Sequence, residues 1–295
     1  MPQTETWTIG RLLEWTTDYL KGRGADSPRL DAELLLSEAR GCQRIELYTA
    51  FDEVPDEQVR GAFRELVRRR AEGVPVAYLL GVREFYSLSF HVTPEVLIPR
   101  PETELVVVTL LDFAKQRRPE PPAQFRIADV GTGSGILAVC AARYLGDAHV
   151  VALDVSRGAL DVARSNLRQH NVADRVELVA GDLMAPLARR ASFDFIISNP
   201  PYVASDEMNH LAAAVAAHEP RTALEAGPRG TEIIERLVVQ AAEQLVAGGY
   251  LIFEISPMIE KAARALVEAE PQFELKPTVK DLAGLPRVVS ARRKE

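Results

Sequence analysis

Cysteine is scarce in this 295-residue chain: Cys42 and Cys140 are the only two, far apart and without CxxC pairing. That excludes a disulfide framework, gives no basis for a zinc site, and predicts free thiols in a reducing compartment. Cys140 falls within an apolar helical stretch, where packing is its expected role. The histidines His91, His149, His170, His210 and His218 share no helical metal spacing such as HExxH, so no metal is expected. Basic excess is also missing, since 35 Lys and Arg against 42 Asp and Glu leave a formal charge of -7. With a pI near 5.5, the chain has no bulk attraction for nucleic acid or an anionic membrane. No stretch approaches the roughly 18 apolar residues of a membrane helix, and Met1-Pro2-Gln3-Thr4-Glu5 lacks a basic n-region followed by an apolar h-region. These absences predict a cytoplasmic protein whose partner is a protein or a small molecule. No internal repeat or low-complexity tract interrupts a composition of 47% hydrophobic and 26% charged residues, which is globular and sufficient for one large or two ordinary domains.

From Thr8 to about Gly73 the apolar residues recur every three or four positions, as in Ile9, Leu12, Leu13 and Thr16, or Val59, Phe63, Leu66 and Val67. This predicts a small helical domain over residues 1–80, with helix starts at Ser27-Pro28 and Pro55-Asp56-Glu57. Arg68-Arg69-Arg70 reads as a helix end, where cations complement the dipole. Over 81–100 the period changes, with Leu88, Phe90 and Val92 alternating against Ser87, Ser89 and His91, which predicts a strand or β-hairpin linker. A helix from Thr103 to about Phe113 and a proline loop at Arg117-Arg118-Pro119-Glu120-Pro121-Pro122 follow. Strands and helices then alternate. Strands are expected at Phe125–Val130, His149–Asp154, Val176–Ala180, Phe193–Ser198, Tyr250–Ile255, Phe273–Lys276 and Arg287–Ala291. Helices are expected at Ile136–Tyr144, Ser156–His170, Thr231–Val246 and Ile259–Ala269. That rhythm is α/β, with a mostly parallel sheet covered on both faces across 101–295.

Three features carry chemistry. The first is Asn199-Pro200-Pro201-Tyr202, directly after the apolar strand Phe193–Ser198. Two prolines stop that strand because neither can donate to a ladder, and the carboxyl end of such a strand is where open α/β sheets bind ligands. The side-chain amide of Asn199, the carbonyl of Pro200 and the ring of Tyr202, on a backbone with two φ angles locked, suit a planar amide or amine. The second is Asp129-Val130-Gly131-Thr132-Gly133-Ser134-Gly135-Ile136, a strand-to-helix turn whose glycines let backbone approach a ligand closely. It departs from GxGxxG, because Ile136 follows Gly135 and an acid precedes the first glycine. The third is a pair of strand-ending acids. Asp154 is placed to accept hydrogen bonds from ribose hydroxyls, and Asp182, in Ala180-Gly181-Asp182-Leu183, is placed to face an adenine amine.

The DxGxGxG turn, the strand-ending acid and the NPPY loop together resemble the class I S-adenosylmethionine-dependent methyltransferases, and NPPY resembles the amino-group methylators among them. Gly81-Val82-Arg83-Glu84-Phe85-Tyr86-Ser87-Leu88 and Leu97-Ile98-Pro99-Arg100-Pro101-Glu102-Thr103-Glu104 are similar to the linker of the release factor glutamine methyltransferase family, PrmC/HemK. His218-Glu219-Pro220-Arg221 and Lys280-Asp281-Leu282-Ala283-Gly284 before Arg287 are similar to it as well. The resemblance spans both domains and keeps the family's order of motifs. It implies a Rossmann-like domain with a seven-stranded, mostly parallel sheet, a helical domain that grips the protein substrate, and a linker whose Phe90 and Arg100–Thr103 turn cover the cofactor. It further implies that S-adenosyl-L-methionine binds at Gly131, Thr132, Gly133, Ser134, Gly135, Asp154, Asp182, Leu183 and Asn199. The implied substrate is the glutamine of the Gly-Gly-Gln motif of peptide chain release factors, held by Asn199, Pro200, Pro201 and Tyr202, with Asn199, Pro200 and Tyr202 catalytic. The expected partner is thus a protein, with no nucleic acid and no membrane, acted on by a monomer. Two departures stand out: Ser256-Pro257-Met258 replaces the family's usual glycine and following glutamine, and Leu183 stands where an aromatic residue is often found.

Three rival readings remain. An adenine-N6 DNA methyltransferase shares the NPPY logic, but it should carry a basic target-recognition region, and the acidic balance argues against it. A sibling glutamine methyltransferase acting on a ribosomal protein is poorly separated by sequence alone. A non-catalytic adaptor is opposed by the intact Asn199 loop and Asp154.

Overall fold

The computed structural model describes residues 6–117, 124–187 and 192–295; the expected proline loop over 118–122 and the first five residues lie outside them. The chain divides into two compact units, Met1–Gly81 and Val82–Glu295.

The first unit is helical. Helix α1 (Ile9–Lys21) starts where the Thr8 hydroxyl accepts the Arg11 amide at 3.3 Å. Helix α2 (Pro28–Arg40) opens on a proline and ends at Gly41 in the left-handed region, the sequence pattern of a helix start and stop. Helices α3 (Arg44–Thr49), α4 (Glu57–Ala71) and α5 (Val76–Leu80) follow, α4 capped by Asp56, which accepts the Val59 amide at 2.8 Å. Their apolar faces meet in a core of Ile9, Leu13, Leu20, Leu35, Leu36, Leu47, Phe63 and Val67. The arginine run does close α4. Arg68 pairs with Glu65 on the same helix and with Glu72 just past its end, and Arg70 reaches Asp31 of α2 at 2.8 Å.

The second unit begins with an antiparallel hairpin, β1 (Val82–Phe85) and β2 (Leu88–His91), followed by α6 (Glu104–Arg117). Then come β3 (Arg126–Val130), α7 (Ile136–Tyr144), β4 (His149–Asp154), α8 (Arg157–Gln169), β5 (Val176–Ala180) and β6 (Phe193–Ser198). Past the NPPY loop lie β7 (Val203–Ala204), α9 (Ala213–His218), β8 (Glu225–Gly227), α10 (Glu232–Gln244), β9 (Leu245–Glu254), α11 (Glu260–Ala269), β10 (Phe273–Leu275), β11 (Val279–Lys280) and β12 (Pro286–Arg293). The main sheet runs β10-β12-β9-β6-β3-β4-β5, with β11 paired to β12 off this path. Strands β9, β6, β3, β4 and β5 are mutually parallel; β12 runs antiparallel to β9, and β10, antiparallel to β12, returns to the common direction. This is the Rossmann-like α/β class that the sequence predicts, its seven-stranded path extended by one short strand.

One apolar layer, rich in α6 and α7 residues such as Val106, Leu110, Leu137 and Val139, also contains Phe85 and Phe90 of the hairpin. The other holds Ile234, Leu237, Val238 and Ala241 of α10 with Ala263 and Val267 of α11. Winding reverses between β3 and β6, since β4 and β5 lie to one side of β3 and β6 and β9 to the other. The carboxyl ends of strands at such a switch point form a crevice, and the glycine turn after β3 and the NPPY loop after β6 both emerge there.

Most expected boundaries differ by a residue or two; helix α6 runs on to Arg117, past the expected end near Phe113, and the largest difference is where α10 gives way to β9. Leu245 and Val246, expected at the end of a helix, are the first residues of β9: Leu245 is buried opposite Phe193, and the register slips before Phe195 meets Tyr250. Gly248, at φ +74°, lies within this irregularity, a conformation that ordinary side chains disfavour. Strands β7, β8 and β11 and helix α9 were not expected; each is too short to impose a period on the sequence. Among the described residues no helix is long and apolar enough to cross a membrane.

Candidate active site

The glycine turn is held by backbone and by two carboxylates. The amides of Gly131 and Thr132 both donate to the Leu153 carbonyl at 2.9 Å, tying the turn to the end of β4. A side chain at Gly131 or Gly133 would project into open space, so these positions leave bare backbone beside a cavity. Gly135 is glycine for a different reason: a Cβ there would lie 3.2 Å from that of Ala163 in α8. Asp129 is fully buried, and its Oδ2 accepts the Thr132 hydroxyl at 2.6 Å and the Ala138 amide at 3.0 Å. Burial pushes its carboxyl up to about 7, against those two hydrogen bonds. Asp154 accepts the Gly133 amide on Oδ2 at 2.8 Å and the Ser156 amide on Oδ1 at 2.9 Å. Its carboxyl also titrates above the ordinary range because it is desolvated, with those amides pulling the other way.

One cavity joins these groups. Its walls include Gly131, Thr132, Gly133, Ser134 and Asp154, the stretch Gly181-Asp182-Leu183, and Asn199 with Pro201. Asp182 sits half-exposed at this rim, with its Oδ2 2.5 Å from Arg236 of α10. Leu183 holds φ +48°, an uncommon conformation for leucine. The remaining walls include Glu95, Val96, Leu97 and Pro99 on one side and Pro220, Thr222 and Ala223 on another. Glu219 connects these two segments. It is buried, accepts the Ile98 amide at 3.2 Å, and pairs with Arg100 at 2.5 Å. The linker segment 97–100 and the His218-Glu219-Pro220 segment thus form one structural unit.

At the end of β6, Asn199 donates from Nδ2 to the Thr103 hydroxyl at 3.1 Å. Pro200 is buried and Tyr202 half-buried, and neither is a wall of the cavity. The Tyr202 hydroxyl points to Glu254 at the end of β9, 3.4 Å from Oε1. Burial beside Glu254 raises the Tyr202 phenol well above its ordinary value. The arrangement offers a recess walled by bare backbone and the Asp154 carboxyl, and at its edge an anchored side-chain amide.

Comparison with known proteins agrees with this architecture. Residues 11–81 match the model of the PrmC N-terminal domain, and residues 110–229 match that of the methyltransferase small domain. A release factor glutamine methyltransferase of Rhodopirellula baltica is 50% identical over 97% of this chain and 97% of its own length. The chain belongs to the release factor glutamine methyltransferase family. Another member, from Moorella thermoacetica, is 40% identical over 98% of this chain and 99% of its own length. Among solved structures, a methyltransferase from Pyrococcus furiosus shares the fold, with TM-score 0.50 and 18% identity over 72% of this chain and 91% of that one.

For this methyltransferase, the structure brings Gly131, Thr132, Gly133, Ser134, Asp154, Asp182, Leu183, Asn199 and Pro201 to one cavity, with Gly135 shaping the turn behind it. Phe90 requires a correction. It is not a cavity wall; it is fully buried in the hairpin core, 6.2 Å from the Phe85 ring and 4.8 Å from that of His170. Its position on the inward face of a half-covered strand accounts for this. The Arg100–Thr103 turn also stays off the cavity wall, and Thr103 acts instead on Asn199.

Three residues were missed. Asn166 of α8 is fully buried and donates to the carbonyls of Ser134 and His91 at 2.8 and 2.9 Å while accepting the His91 amide at 2.7 Å, joining the glycine turn to the hairpin. Glu219 was noticed only as part of a motif. Glu254 had a readable signal, an acid between Phe253 and Ile255 in an otherwise apolar strand, where a charge demands a partner.

Proposed function

We propose that this chain transfers a methyl group from S-adenosylmethionine to the side-chain amide nitrogen (N5) of the glutamine in the Gly-Gly-Gln motif of peptide chain release factors. The observation that carries the reading is the anchored amide of Asn199. With Nδ2 spent on Thr103, Oδ1 is left as an acceptor at the cavity where NPPY closes it. An acceptor is what a primary amide needs from its enzyme.

The cavity fits the cofactor. Gly131, Thr132, Gly133, Ser134 and Gly135 provide backbone that a methionine chain can approach, and Asp154 provides a carboxylate already oriented by two amides for ribose hydroxyls. Asp182 and Leu183 would border the adenine. When bound, S-adenosylmethionine supplies an electrophilic methyl carbon on a sulfonium.

The chain's own residues do the rest. An amide nitrogen is a poor nucleophile because its lone pair is delocalised into the carbonyl. The Asn199 Oδ1 and the Pro200 carbonyl would accept its two N–H bonds, aim the nitrogen along the attack line, and stabilise the positive charge that grows as the N–C bond forms. One of those protons then leaves to water, restoring the neutral amide. Pro201 and Tyr202 would flank the amide plane. Orientation of this kind supplies several of the roughly 7 to 11 kcal/mol available to well-positioned reactions. The enzyme would work as a cytoplasmic monomer on a protein substrate.

The test is transfer of label from methyl-labelled cofactor, offering a release factor and a ribosomal protein in parallel. Label is expected in the release factor and lost when the Gly-Gly-Gln glutamine is changed to alanine. Label in the ribosomal protein alone would overturn the substrate.

A further inference from the structure

Helix α8 meets the linker along most of its length. Near its start, a Cβ on Gly158 would collide with the carboxylate of Glu95, so glycine is what lets that side chain lie against the helix. At its end, Gln169 Nε2 donates to the Ser89 carbonyl at 2.6 Å, and just beyond, His170 Nε2 lies 2.9 Å from the same oxygen. Between these points stands Asn166, fully buried. Its Oδ1 accepts the His91 amide at 2.7 Å while its Nδ2 donates to the His91 carbonyl at 2.9 Å, closing the edge of β2 as a neighbouring strand would. Nδ2 also donates to the Ser134 carbonyl at 2.8 Å.

Both donors of that amide, and its oxygen, are therefore spent on two segments that wall the same cavity. On the first, the Ser134–Gly135 peptide is clamped at both ends, its carbonyl by Asn166 and its N–H by the Thr132 carbonyl at 2.8 Å. Gly135 packs there against Ala163, three residues before Asn166 on α8. On the second, β2 ends at His91 and the chain runs on into Glu95, Val96, Leu97 and Pro99 of the cavity wall. The demand is specific to a carboxamide. Two carbonyls need donors and one amide needs an acceptor, so a carboxylate of the same shape has no proton to give, and an alanine leaves three backbone groups unpaired.

We propose that Asn166 is a positioning residue for the methyl donor, tying the glycine turn to the linker wall so that cofactor bound at the turn also holds residues 95–99 in place. This rests on the reading of the cavity as the S-adenosylmethionine site. Asn166 is not itself a wall of that cavity. The two walls share one buried amide, so their separation breaks its hydrogen bonds. A ligand that contacts both walls stabilises those bonds, and by the same linkage loss of the bonds weakens the ligand.

Two measurements on the full chain test this, and neither depends on which protein is methylated. By calorimetry, Asn166→Asp and Asn166→Ala should each weaken S-adenosylmethionine binding tenfold or more. Gln169→Ala, which loosens the same hairpin without reaching the turn, should stay within about twofold of the wild type. In the wild type, saturating cofactor should slow hydrogen exchange at the His91 amide tenfold or more, although that amide lies off the cavity wall. The added protection should vanish in Asn166→Ala saturated with cofactor and persist in Gln169→Ala. Unchanged affinity in the folded Asn166 variants, a matching loss in Gln169→Ala, or His91 exchange that ignores cofactor in the wild type would overturn the proposal. The wild-type exchange decides the matter even if both Asn166 variants fail to fold. A wild type that binds no S-adenosylmethionine would instead overturn the reading of the cavity, and the proposal with it.

Discussion

The glycine turn and the Asn199 corner line the same cavity, yet they are held by opposite means. At the turn, backbone amides converge on the carboxylates of Asp129 and Asp154, and the partners lie within about 25 residues of one another in sequence. At the corner, side chain meets side chain: Asn199 with Thr103 across 96 residues of sequence, and Tyr202 with Glu254 across 52. The first arrangement ties backbone to carboxyl groups and leaves a recess beside it. The second fixes the direction of one amide, a matter of hydrogen-bond polarity that a neighbouring hydroxyl sets.

The largest effect should come from breaking the corner. With Asn199 as the proposed acceptor of the substrate amide, Asn199→Ala should slow single-turnover methylation a hundredfold or more, about 2.7 to 4 kcal/mol in the barrier. Next is a stability effect at the same corner. The folded-state value of Glu254, near 7, lies above the ordinary 4.5. Its contribution to stability is therefore fully present below about pH 4.5 and is lost as pH rises through 7, on the order of 3 kcal/mol. Glu254→Gln lacks this slope, so its Tm should gain on that of the wild type between pH 5 and 8. Asp129 shifts in the same sense but is common to both proteins, and so drops out of the difference. A gap in Tm that stays constant with pH would refute the assignment.

Breaking the turn should do something different. Asp154→Ala is expected to weaken cofactor binding ten- to thirtyfold, about 1.4 to 2 kcal/mol by calorimetry, while transfer at saturating cofactor changes much less. Unchanged affinity would remove Asp154 from the site. The smallest effect falls on Phe90, which touches neither half of the cavity. Phe90→Leu should cost about 1 kcal/mol in urea unfolding and leave cofactor affinity and transfer rate as they were. A clear loss of affinity would return Phe90 to the cofactor site.

The same contrast explains what could be read in the sequence. Strands β4, β5 and β6 and helix α7 match their expected limits because long apolar periods bounded by turn residues announce them. The start of β9 did not announce itself, since Leu245-Val246 suits a helix end as well as a strand and only pairing with Phe193 decides between them. At the site, Gly131 to Gly135, Asp154 and Asn199 stand in local motifs at strand ends, where one stretch of chain carries both geometry and chemistry. Thr103, Asn166, Glu219 and Glu254 acquire their roles only when distant segments meet. Asn166 joins the turn to the hairpin, Glu219 joins residues 98 and 100 to the loop after α9, Thr103 holds Asn199, and Glu254 faces Tyr202 of the loop after β6. No period or local motif encodes those contacts.

The central claim is that the glycine turn holds the methyl donor while the Asn199 corner handles the acceptor amide. Titration of S-adenosylmethionine into Asn199→Ala by calorimetry tests it most directly. The account predicts affinity within about threefold of the wild type in a protein that no longer transfers methyl groups efficiently, whereas a loss of tenfold or more would contradict it.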